Sequence, residues 1–232
     1  MEKKNKNTPP KKLIFAILAT DVVLFTLKNG VLLVRLIPVN IEPFFKNKSG
    51  LPGGLLKPGE TAEEAALRNL EHKAQISVDK VYIEQLFTFS EIKRDPRGRV
   101  VSVAYLALVP WESLSDEEKR DTPDSYWRPV GTIKKLAYDH NKIMESALER
   151  FASKITYTTL ISKIMSREFT LTELENVYQS FVKKNIDKRN FRKKILRLKL
   201  VKPLSKERRG LKQRPAKLYS FTSQKIITME VL

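Results

Sequence analysis

The chain contains the stretch Leu51-Pro52-Gly53-Gly54-Leu55-Leu56-Lys57-Pro58-Gly59-Glu60, and a run of helix-forming residues that includes Arg68 follows it. Two adjacent glycines predict a tight loop in which backbone amides can approach a bound group. Thr61 and Glu64 form a capping box, which predicts a helix over about 61–74. We therefore expect a glycine-rich loop that leads directly into a helix.

The spacing within this loop and helix resembles the Nudix signature of diphosphate hydrolases, G-x5-E-x7-R-E-U-x-E-E-x-G-U, in which U is an apolar residue. Positions that agree with the signature are Gly54, Glu60, Arg68, Leu70 and Ile76. The glutamates of its second half are replaced by Asn69, His72 and Lys73, and its last glycine is replaced by Gln75. The chain thus resembles a Nudix domain that has lost the acidic half of the signature.

The replaced glutamates decide the chemistry, because Mg²⁺ is held in proteins by carboxylate oxygens rather than by amides or ammonium groups. Positions 69, 72 and 73 are three and four apart, so they lie on one face of a helix. In this chain Lys73 would repel Mg²⁺ at close range. The remaining acids Glu63, Glu64 and Glu71 are out of register and are interpreted as solvated charges. The sequence therefore predicts no metal site and no catalytic residue, and hence a protein that is not an enzyme.

Apolar runs on both sides of the motif predict four strands, at about 15–27, 31–38, 82–90 and 100–109. Asn29-Gly30, between the first two runs, predicts a tight hairpin. The run Leu13–Phe25 follows two lysines, as in a signal peptide, but Asp21 interrupts it and the run continues into the hairpin. A strand is therefore favoured, and no run reaches the ~20 apolar residues that a transmembrane helix needs. Strands around one helix predict a mixed α/β domain.

Positive charge is concentrated in the C-terminal third of the 232-residue chain, whose formal net charge is +18. Residues 155–232 hold 19 Lys and Arg against 6 Asp and Glu, whereas the rest of the chain holds 25 against 20. Such a concentration of cations on one small domain favours nucleic-acid binding over a solvated surface. The chain has no cysteine, which excludes disulfides and thiolate metal sites and agrees with a cytoplasmic location.

The basic third has the pattern helix, helix, basic helix and β-ribbon. A loop at 111–130 with a short helical turn, and a closing helix at about 141–151, precede it. The predicted elements are Thr159–Met165, a helix opened by the capping box of Thr170 and Glu173, Lys188–Leu198 capped by Asp187, and strands at 200–204 and 218–221. This is the order of a winged helix-turn-helix, in which the third helix enters the major groove and the wing lies along the DNA backbone.

This architecture assigns the cations to two surfaces. The third helix carries residue types that hydrogen-bond base edges, and the wing tip carries cations suited to phosphates. The predicted DNA-binding residues are Lys188, Arg189, Asn190, Arg192 and Lys193 in the helix, and Arg208, Arg209, Lys212 and Arg214 in the wing. Two alternatives stay open: a basic membrane-surface helix, although its apolar stripe is needed for a core, and an RNA-binding module, although this third has few aromatic residues.

Taken together, the two halves resemble the Nudix-related transcriptional regulators of the NrtR type. The resemblance covers nearly all of the chain after the N-terminal tail and is carried by the motifs Ile41–Phe44, Leu51–Gly54, Glu84–Phe89, Asp95–Ser102, Ala137–His140, Glu168–Leu171, Asp187–Arg192 and Arg214–Tyr219. It implies a homodimeric repressor that binds a double-stranded DNA operator with two-fold symmetry and commonly controls genes of NAD metabolism. It also implies that the Nudix domain senses a small-molecule effector, ADP-ribose or a related nucleotide or sugar, without a cofactor. The open alternative is an active Nudix hydrolase, an ADP-ribose pyrophosphatase with an accessory nucleic-acid-binding domain.

The candidate effector-binding residues are Arg35, Gly53, Gly54, Arg68, Lys73, Glu84, Arg97 and Arg99. Lys73 places an ammonium where a metal would lie and is suited to neutralise a pyrophosphate directly. Arg68 is expected either to hold the motif loop through Glu60 or to contact the ligand. Glu84 is expected either to bond ribose hydroxyls or to lie on an edge strand. His140 has no partner at metal-ligand spacing, so we expect it to form a structural hydrogen bond.

We therefore expect an α+β protein, with a Nudix-like mixed α/β sandwich followed by a winged helix-turn-helix domain. The predicted segments are a disordered basic tail at 1–12, an effector-sensing domain at 13–153 and a DNA-binding domain at 154–232. Duplex DNA, a small-molecule effector and a second copy of the chain are the expected partners, and no membrane partner is expected.

Overall fold

The computed structural model describes residues 15–182, 185–208, 215–229 and 231–232. Two predicted features lie outside these residues: the basic tail at 1–12 and the wing-tip cations Arg209, Lys212 and Arg214. Among the described residues, no helix combines the length and the apolar character needed to cross a membrane.

The N-terminal domain is built on one mixed seven-stranded sheet. Its strands are β1 (Ile17–Lys28), β2 (Val31–Ile41), β3 (Phe45–Gly50), β4 (Gly53–Leu55), β5 (Tyr82–Phe89), β6 (Val100–Leu108) and β7 (Tyr126–Pro129). The main path runs β3-β2-β1-β6-β5, with β4 paired to β1 and β7 paired to β2. Only the β1–β6 pair is parallel among the strands described. The four predicted strands are confirmed, whereas β3, β4 and β7 are too short or too polar to show in the apolar pattern.

The β1–β2 hairpin confirms the turn predicted at Asn29 and Gly30. Their φ angles are 51° and 78°, the positive values that a type I′ turn requires at both central positions. On the N-terminal side of this turn, the residues from Val22 to Phe25 are completely buried. The apolar run that precedes the hairpin is therefore a central strand of the sheet.

Helices cover both faces of this sheet, since alternate side chains of a strand point to opposite faces. The helices of this domain are α1 (Ala62–His72), the short α2 (Asp116–Lys119) and α3 (His140–Tyr157). On one face, Leu70 of α1 shares a hydrophobic cluster with Leu24 of β1. On the other face, Ala147 of α3 shares a cluster with Phe25 of the same strand. The sheet is thus the middle layer of a sandwich, and α1 begins at the predicted capping box.

The C-terminal domain contains two of the three predicted helices, followed by the predicted ribbon. Its elements are β8 (Phe169–Thr170), α4 (Leu171–Phe181), α5 (Lys188–Arg197), β9 (Val201–Arg208) and β10 (Ala216–Phe221). β10 lies between β8 and β9 in an antiparallel sheet. Both predicted helix caps are confirmed: the Glu173 amide donates to Thr170 Oγ1 (3.1 Å), and the Asn190 amide donates to Asp187 Oδ1 (3.0 Å).

The helix predicted at Thr159–Met165 is wrong, because this segment forms only a 3₁₀ turn at Leu160–Lys163. The Thr159 amide donates to the Ile227 carbonyl (3.1 Å), so the chain here is tied to the C-terminal segment instead of entering an α-helix. α3 continues to Tyr157 rather than ending near Phe151.

One hydrophobic cluster joins the two domains. It runs from Leu106 of β6 through Phe151 of α3 to Phe169, Tyr178 and Phe191 of the C-terminal domain, and all five side chains are buried. The protein therefore has the predicted α+β class: a mixed α/β sandwich followed by a winged helix, with the two packed on a shared core.

Candidate ligand pocket and nucleic-acid interface

A cavity of about 350 Å³ opens between β1, β2, β4, the end of α1, the β5–β6 loop and the start of α3. Its polar wall combines three cations, two carboxylates, an imidazole, a phenol and two glycines: Lys73, Arg94, Arg97, Asp21, Asp95, His140, Tyr138, Gly53 and Gly54. The pocket therefore brings together four of the eight predicted ligand-binding residues, namely Gly53, Gly54, Lys73 and Arg97.

Asp21 lies at the floor of this pocket and is held in its ionised form. Its Oδ2 accepts hydrogen bonds from Ser102 Oγ (2.6 Å) and Arg94 Nη2 (3.0 Å), and its Oδ1 is 3.3 Å from His140 Nε2. Burial alone would raise the pKa of Asp21, but His140, Ser102 and Arg94 together hold this pKa well below its usual range. Asp21, the charged residue that interrupts an apolar strand, is thus the centre of a cluster of polar side chains.

Arg94 and His140 connect Asp21 to the start of α3. Arg94 also donates to both carboxylate oxygens of Asp139, at 2.7 and 3.0 Å, and its side chain is only 3% exposed. His140 Nδ1 accepts the Leu51 amide (2.9 Å), so the proton of the neutral ring lies on Nε2, where it faces Asp21. The predicted structural role of His140 is confirmed, and these contacts tie the pocket to the start of α3.

Gly53 is required by close packing against the pocket wall, and Gly54 lies in tight contact with it. A Cβ atom at Gly53 would lie 2.5 Å from the Thr20 carbonyl oxygen and closer still to the Asp21 carboxylate. A Cβ atom at Gly54 would lie 3.0 Å from both Asn69 Oδ1 and Lys73 Nζ. The motif loop therefore approaches β1 and α1 so closely that side chains at these positions would displace their neighbours.

The positions that hold glutamates in the Nudix signature have other contacts in this protein. Asn69 is fully buried and donates through Nδ2 to Thr20 Oγ1 (3.1 Å), whereas His72 is exposed and does not line the pocket. Lys73 Nζ donates to the Gly53 carbonyl (2.5 Å) and lies in the pocket wall. Gln75, at the last glycine of the signature, has a φ of 58°. The backbone path of the motif is thus retained without its carboxylates.

This arrangement does not fit a divalent cation. Across the described parts of the chain, no three His, Cys, Asp or Glu side chains are grouped closely enough to hold a metal ion. An amide committed to Thr20 and an ammonium stand where carboxylate oxygens would be needed.

Four predicted ligand-binding residues lie outside the pocket. Arg68 donates to both oxygens of Glu60 (2.9 and 2.6 Å) and to the Leu55 carbonyl, so it holds the motif loop, one of its two expected roles. Arg99 donates to the carbonyls of Ser90 and Glu91 at the base of the β5–β6 loop. These two cations are occupied by contacts within the protein.

Arg35 is the clearest correction, because it is completely buried and does not line the pocket. It donates to the Ala74 carbonyl (3.1 Å), the Arg120 carbonyl (3.1 Å) and Ser125 Oγ (2.7 Å). Burial lowers the pKa of Arg35 to about 10, although nearby Asp121 and Glu118 act in the opposite direction. Arg35 therefore fixes the turn after α1 and cannot reach a ligand in the cavity.

Glu84 is likewise placed against α3 rather than in the cavity. Its Oε2 accepts from Lys154 Nζ (2.5 Å) and Tyr82 Oη (2.5 Å), and its Oε1 lies 3.8 Å from Arg150 Nη1. These contacts join edge strand β5 to α3. In this protein Glu84 is a link between the sheet and the helix.

Sequence reasoning missed Asp21, Arg94, Asp95 and Tyr138 as pocket residues. Asp95 accepts from Arg97 Nε (3.0 Å) and Nη2 (2.7 Å), and the Arg97 guanidinium lies 5.6 Å from the Tyr138 ring centre. Asp95 and Tyr138 fall within two of the resembling motifs, and Asp21 was visible as a charge inside a buried strand. Nothing in the local pattern placed them in one cavity.

The exposed face of α5 is the candidate nucleic-acid interface. Phe191 and Ile195 face the core, whereas Arg189, Lys193 and Arg197 are exposed. Within the described residues, these three cations form no ion pair. Asn190 is also exposed, but its side chain donates to Asp187 Oδ2 (3.0 Å) at the helix start. A helix face with three cations that are free of ion pairs in the described part of the chain is suited to the phosphates and base edges of DNA.

Other predicted DNA-binding cations are engaged with acids of α4. Arg192 Nη2 lies 3.0 Å and Lys188 Nζ 3.3 Å from the carboxylate of Glu175, which is buried. On the wing, Arg208 forms an ion pair with Glu173 and donates to the Glu168 carbonyl (3.3 Å). These residues hold α5 and the wing against α4, so they have structural contacts in addition to their predicted role.

Comparisons with known proteins match both halves of the chain. A family model described as the NUDIX domain matches residues 17–151, and one described as the NrtR DNA-binding winged helix domain matches residues 161–221. The ADPR responsive transcriptional repressor NtrR of Acinetobacter baylyi is 32% identical, over 90% of this chain and 83% of the relative.

Two solved structures from Shewanella oneidensis are also similar. NrtR complexed with a 27mer DNA is 33% identical with a TM-score of 0.76, covering 88% of this chain and 93% of the other. The NUDIX domain of NrtR complexed with ADP ribose is 35% identical with a TM-score of 0.51, covering 62% of this chain and 94% of the other.

Proposed function

Since the chain belongs to the NrtR family, in which a Nudix domain precedes an NrtR winged helix domain, we propose that it is a transcriptional repressor that binds duplex DNA and responds to ADP-ribose. The observation that carries this proposal is the cationic face of α5, whose Arg189, Lys193 and Arg197 form no ion pair within the described residues. This helix belongs to a winged helix that packs on a core shared with the Nudix-like domain. We further propose that it acts in the cytoplasm, where chromosomal DNA is accessible, on genes of NAD metabolism.

We propose that operator binding requires two copies of the chain, each of which supplies the exposed face of its α5. A single winged helix offers one recognition helix, and operators with two-fold symmetry are read by dimers whose helices lie about one helical turn apart. We therefore propose a homodimer in which α5 of each copy enters the major groove. We propose that Arg189 and Lys193 contact base edges and phosphates. Their exposure, and the lack of an ion pair for either within the described part of the chain, support this proposal.

The pocket supports an anionic effector with a diphosphate group. Lys73, Arg94 and Arg97 line it, and the paired glycines bring backbone close to its wall. ADP-ribose is the proposed ligand because the A. baylyi relative is named as responsive to it and a related Nudix domain is complexed with it.

α3 gives a physical route between the two sites. At its N-terminus, His140 and Asp139 contact the Asp21–Arg94 group of the pocket. At its C-terminus, Ile155 is buried in the cluster shared with the winged helix. The helix of 18 residues is about 27 Å long. A small displacement of its pocket end would reorient the winged helices, and the fixed half-site spacing makes DNA binding sensitive to that change.

We expect ADP-ribose to lower the affinity of the protein for its operator by about tenfold, a coupling of about 1.4 kcal/mol. By linkage, ADP-ribose must then bind about tenfold more weakly to the DNA complex. Fluorescence anisotropy of a labelled operator duplex bound to the protein, titrated with ADP-ribose, NAD or a pentose, measures the coupling. Titration of the same duplex with the protein measures the stoichiometry, which we expect to be two chains per duplex. An effector that binds by calorimetry without altering DNA affinity would contradict the sensor proposal.

We also propose that the protein does not hydrolyse its ligand. Asn69 and Lys73 offer no carboxylate oxygens, so no metal-bound water would be available to attack a phosphate. We expect no hydrolysis of ADP-ribose in Mg²⁺ or Mn²⁺, as followed by AMP release. Turnover of about 1 s⁻¹ or faster would support the alternative of an ADP-ribose pyrophosphatase.

A further inference from the structure

Within the described residues, Lys73 differs from the other cations of the pocket in forming no ion pair. Arg94 is shared between the carboxylates of Asp21 and Asp139, and Arg97 is bound by Asp95. In the described residues, Lys73 forms no ion pair, and its ammonium donates only to the Gly53 carbonyl. Among the cations that line the described pocket, Lys73 is therefore the one whose charge no direct ion pair neutralises, and it is available to an anion.

The position of this charge is specified by the motif itself. Lys73 occupies the last acidic position of the Nudix signature, and its Nζ lies 3.0 Å from the point that a Cβ atom of Gly54 would occupy. The ammonium is thus at the glycine loop, on the α1 side of the pocket. Partial burial lowers the pKa of Lys73, and the nearby Arg68 and Arg97 act in the same direction, while Asp21 opposes them.

We propose that the Lys73 ammonium replaces the divalent cation of Nudix enzymes, so that this pocket binds the diphosphate of its effector without any metal. This inference rests on the proposed function, because it concerns the same pocket and effector. An ammonium has three donors, and the bond to Gly53 uses one of them. Two donors therefore remain for phosphate oxygens, and Lys is a common phosphate ligand in proteins.

The alternative role for Lys73 is purely structural, in which it only ties α1 to the motif loop through Gly53. The two roles predict different results. If Lys73 is only structural, its substitution should lower the melting temperature and leave the affinity of the pocket for a diphosphate unchanged. A lysine that replaces a metal makes binding independent of Mg²⁺ and sensitive to the charge at position 73.

The test compares Lys73→Met, Lys73→Arg and Lys135→Met in the full-length protein by calorimetry, with ADP-ribose and inorganic pyrophosphate as ligands, each in EDTA and in Mg²⁺. Lys135 is a matched control, because it is exposed, outside the pocket wall and without an ion pair in the described chain. We expect the wild type and Lys135→Met to bind equally well in EDTA and in Mg²⁺. We expect Lys73→Met to bind about 10- to 100-fold more weakly, and Lys73→Arg to retain most of the affinity.

Several results would overturn the inference. In the first, the wild type binds ADP-ribose only when Mg²⁺ is present. In the second, Lys73→Met binds ADP-ribose as tightly as the wild type does but melts at a lower temperature. In either case ADP-ribose still binds, so the proposed function stands. If the wild type binds pyrophosphate but not ADP-ribose, the effector is wrong, and loss of pyrophosphate binding in Lys73→Met still supports the inference. If the wild type binds neither ligand, both proposals fail.

Discussion

Arg94→Met is expected to lower the free energy of unfolding by about 3–5 kcal/mol, the usual cost of removing one partner from a buried ion pair. The Arg94 side chain is 3% exposed, and those of Asp21 and Asp139 are each 8% exposed. Without the guanidinium, two carboxylates would remain at close quarters in a site with little water. Urea denaturation followed by circular dichroism measures the effect.

Arg94 adds to the effect of His140 and Ser102 in lowering the pKa of Asp21, and this gives the difference a dependence on pH. A carboxylate whose pKa is lower in the folded state contributes stability above its unfolded pKa, about 4, and loses that contribution as the pH falls. The difference between wild type and Arg94→Met should therefore be largest near neutral pH and shrink below about pH 4. Arg128→Met is the control, because its pair with Asp121 is exposed and should contribute about 0–1 kcal/mol. Equal effects of the two substitutions would contradict a buried network.

Arg189→Ala combined with Lys193→Ala is expected to weaken operator binding at least about 30-fold, since each lost contact contributes about 1–3 kcal/mol. Both side chains are exposed on α5 and have no ion-pair partner in the described residues, so the melting temperature should not change. Fluorescence anisotropy against operator and unrelated duplexes, together with thermal melts, measures both quantities. The double variant should also show a shallower dependence of affinity on salt, because fewer counterions are released.

The control for this pair removes the same charge elsewhere, by Lys134→Ala combined with Lys135→Ala in the N-terminal domain, where both side chains are exposed. Arg192→Ala provides a contrast, because it leaves buried Glu175 with a weaker set of partners and should lower stability as well as affinity. An operator affinity that is unchanged in the Arg189/Lys193 variant would show that DNA binds another surface.

Features that depend on a few neighbouring residues were predictable from the sequence. The Asn29-Gly30 turn needs two residues that tolerate positive φ, and each capping box needs two polar side chains three positions apart. The same holds for the cap at Asp187 and the core stripe of Phe191 and Ile195. Boundaries were less predictable: α3 extends past its predicted end because its last turns are stabilised by the core shared with the winged helix.

The sequence by itself determined the two-part α+β architecture, the loss of the acidic positions in the motif and the concentration of positive charge, because these are properties of pattern and composition. Only the tertiary structure decided which charges are available. Arg94 meets Asp21 and Asp139 across 73 and 45 positions of the chain. Arg35 is buried against the turn after α1, and Arg192 is bound to Glu175. Whether a cation is paired depends on which distant carboxylates the packed elements bring within a few ångströms of it, and no local pattern encodes that distance.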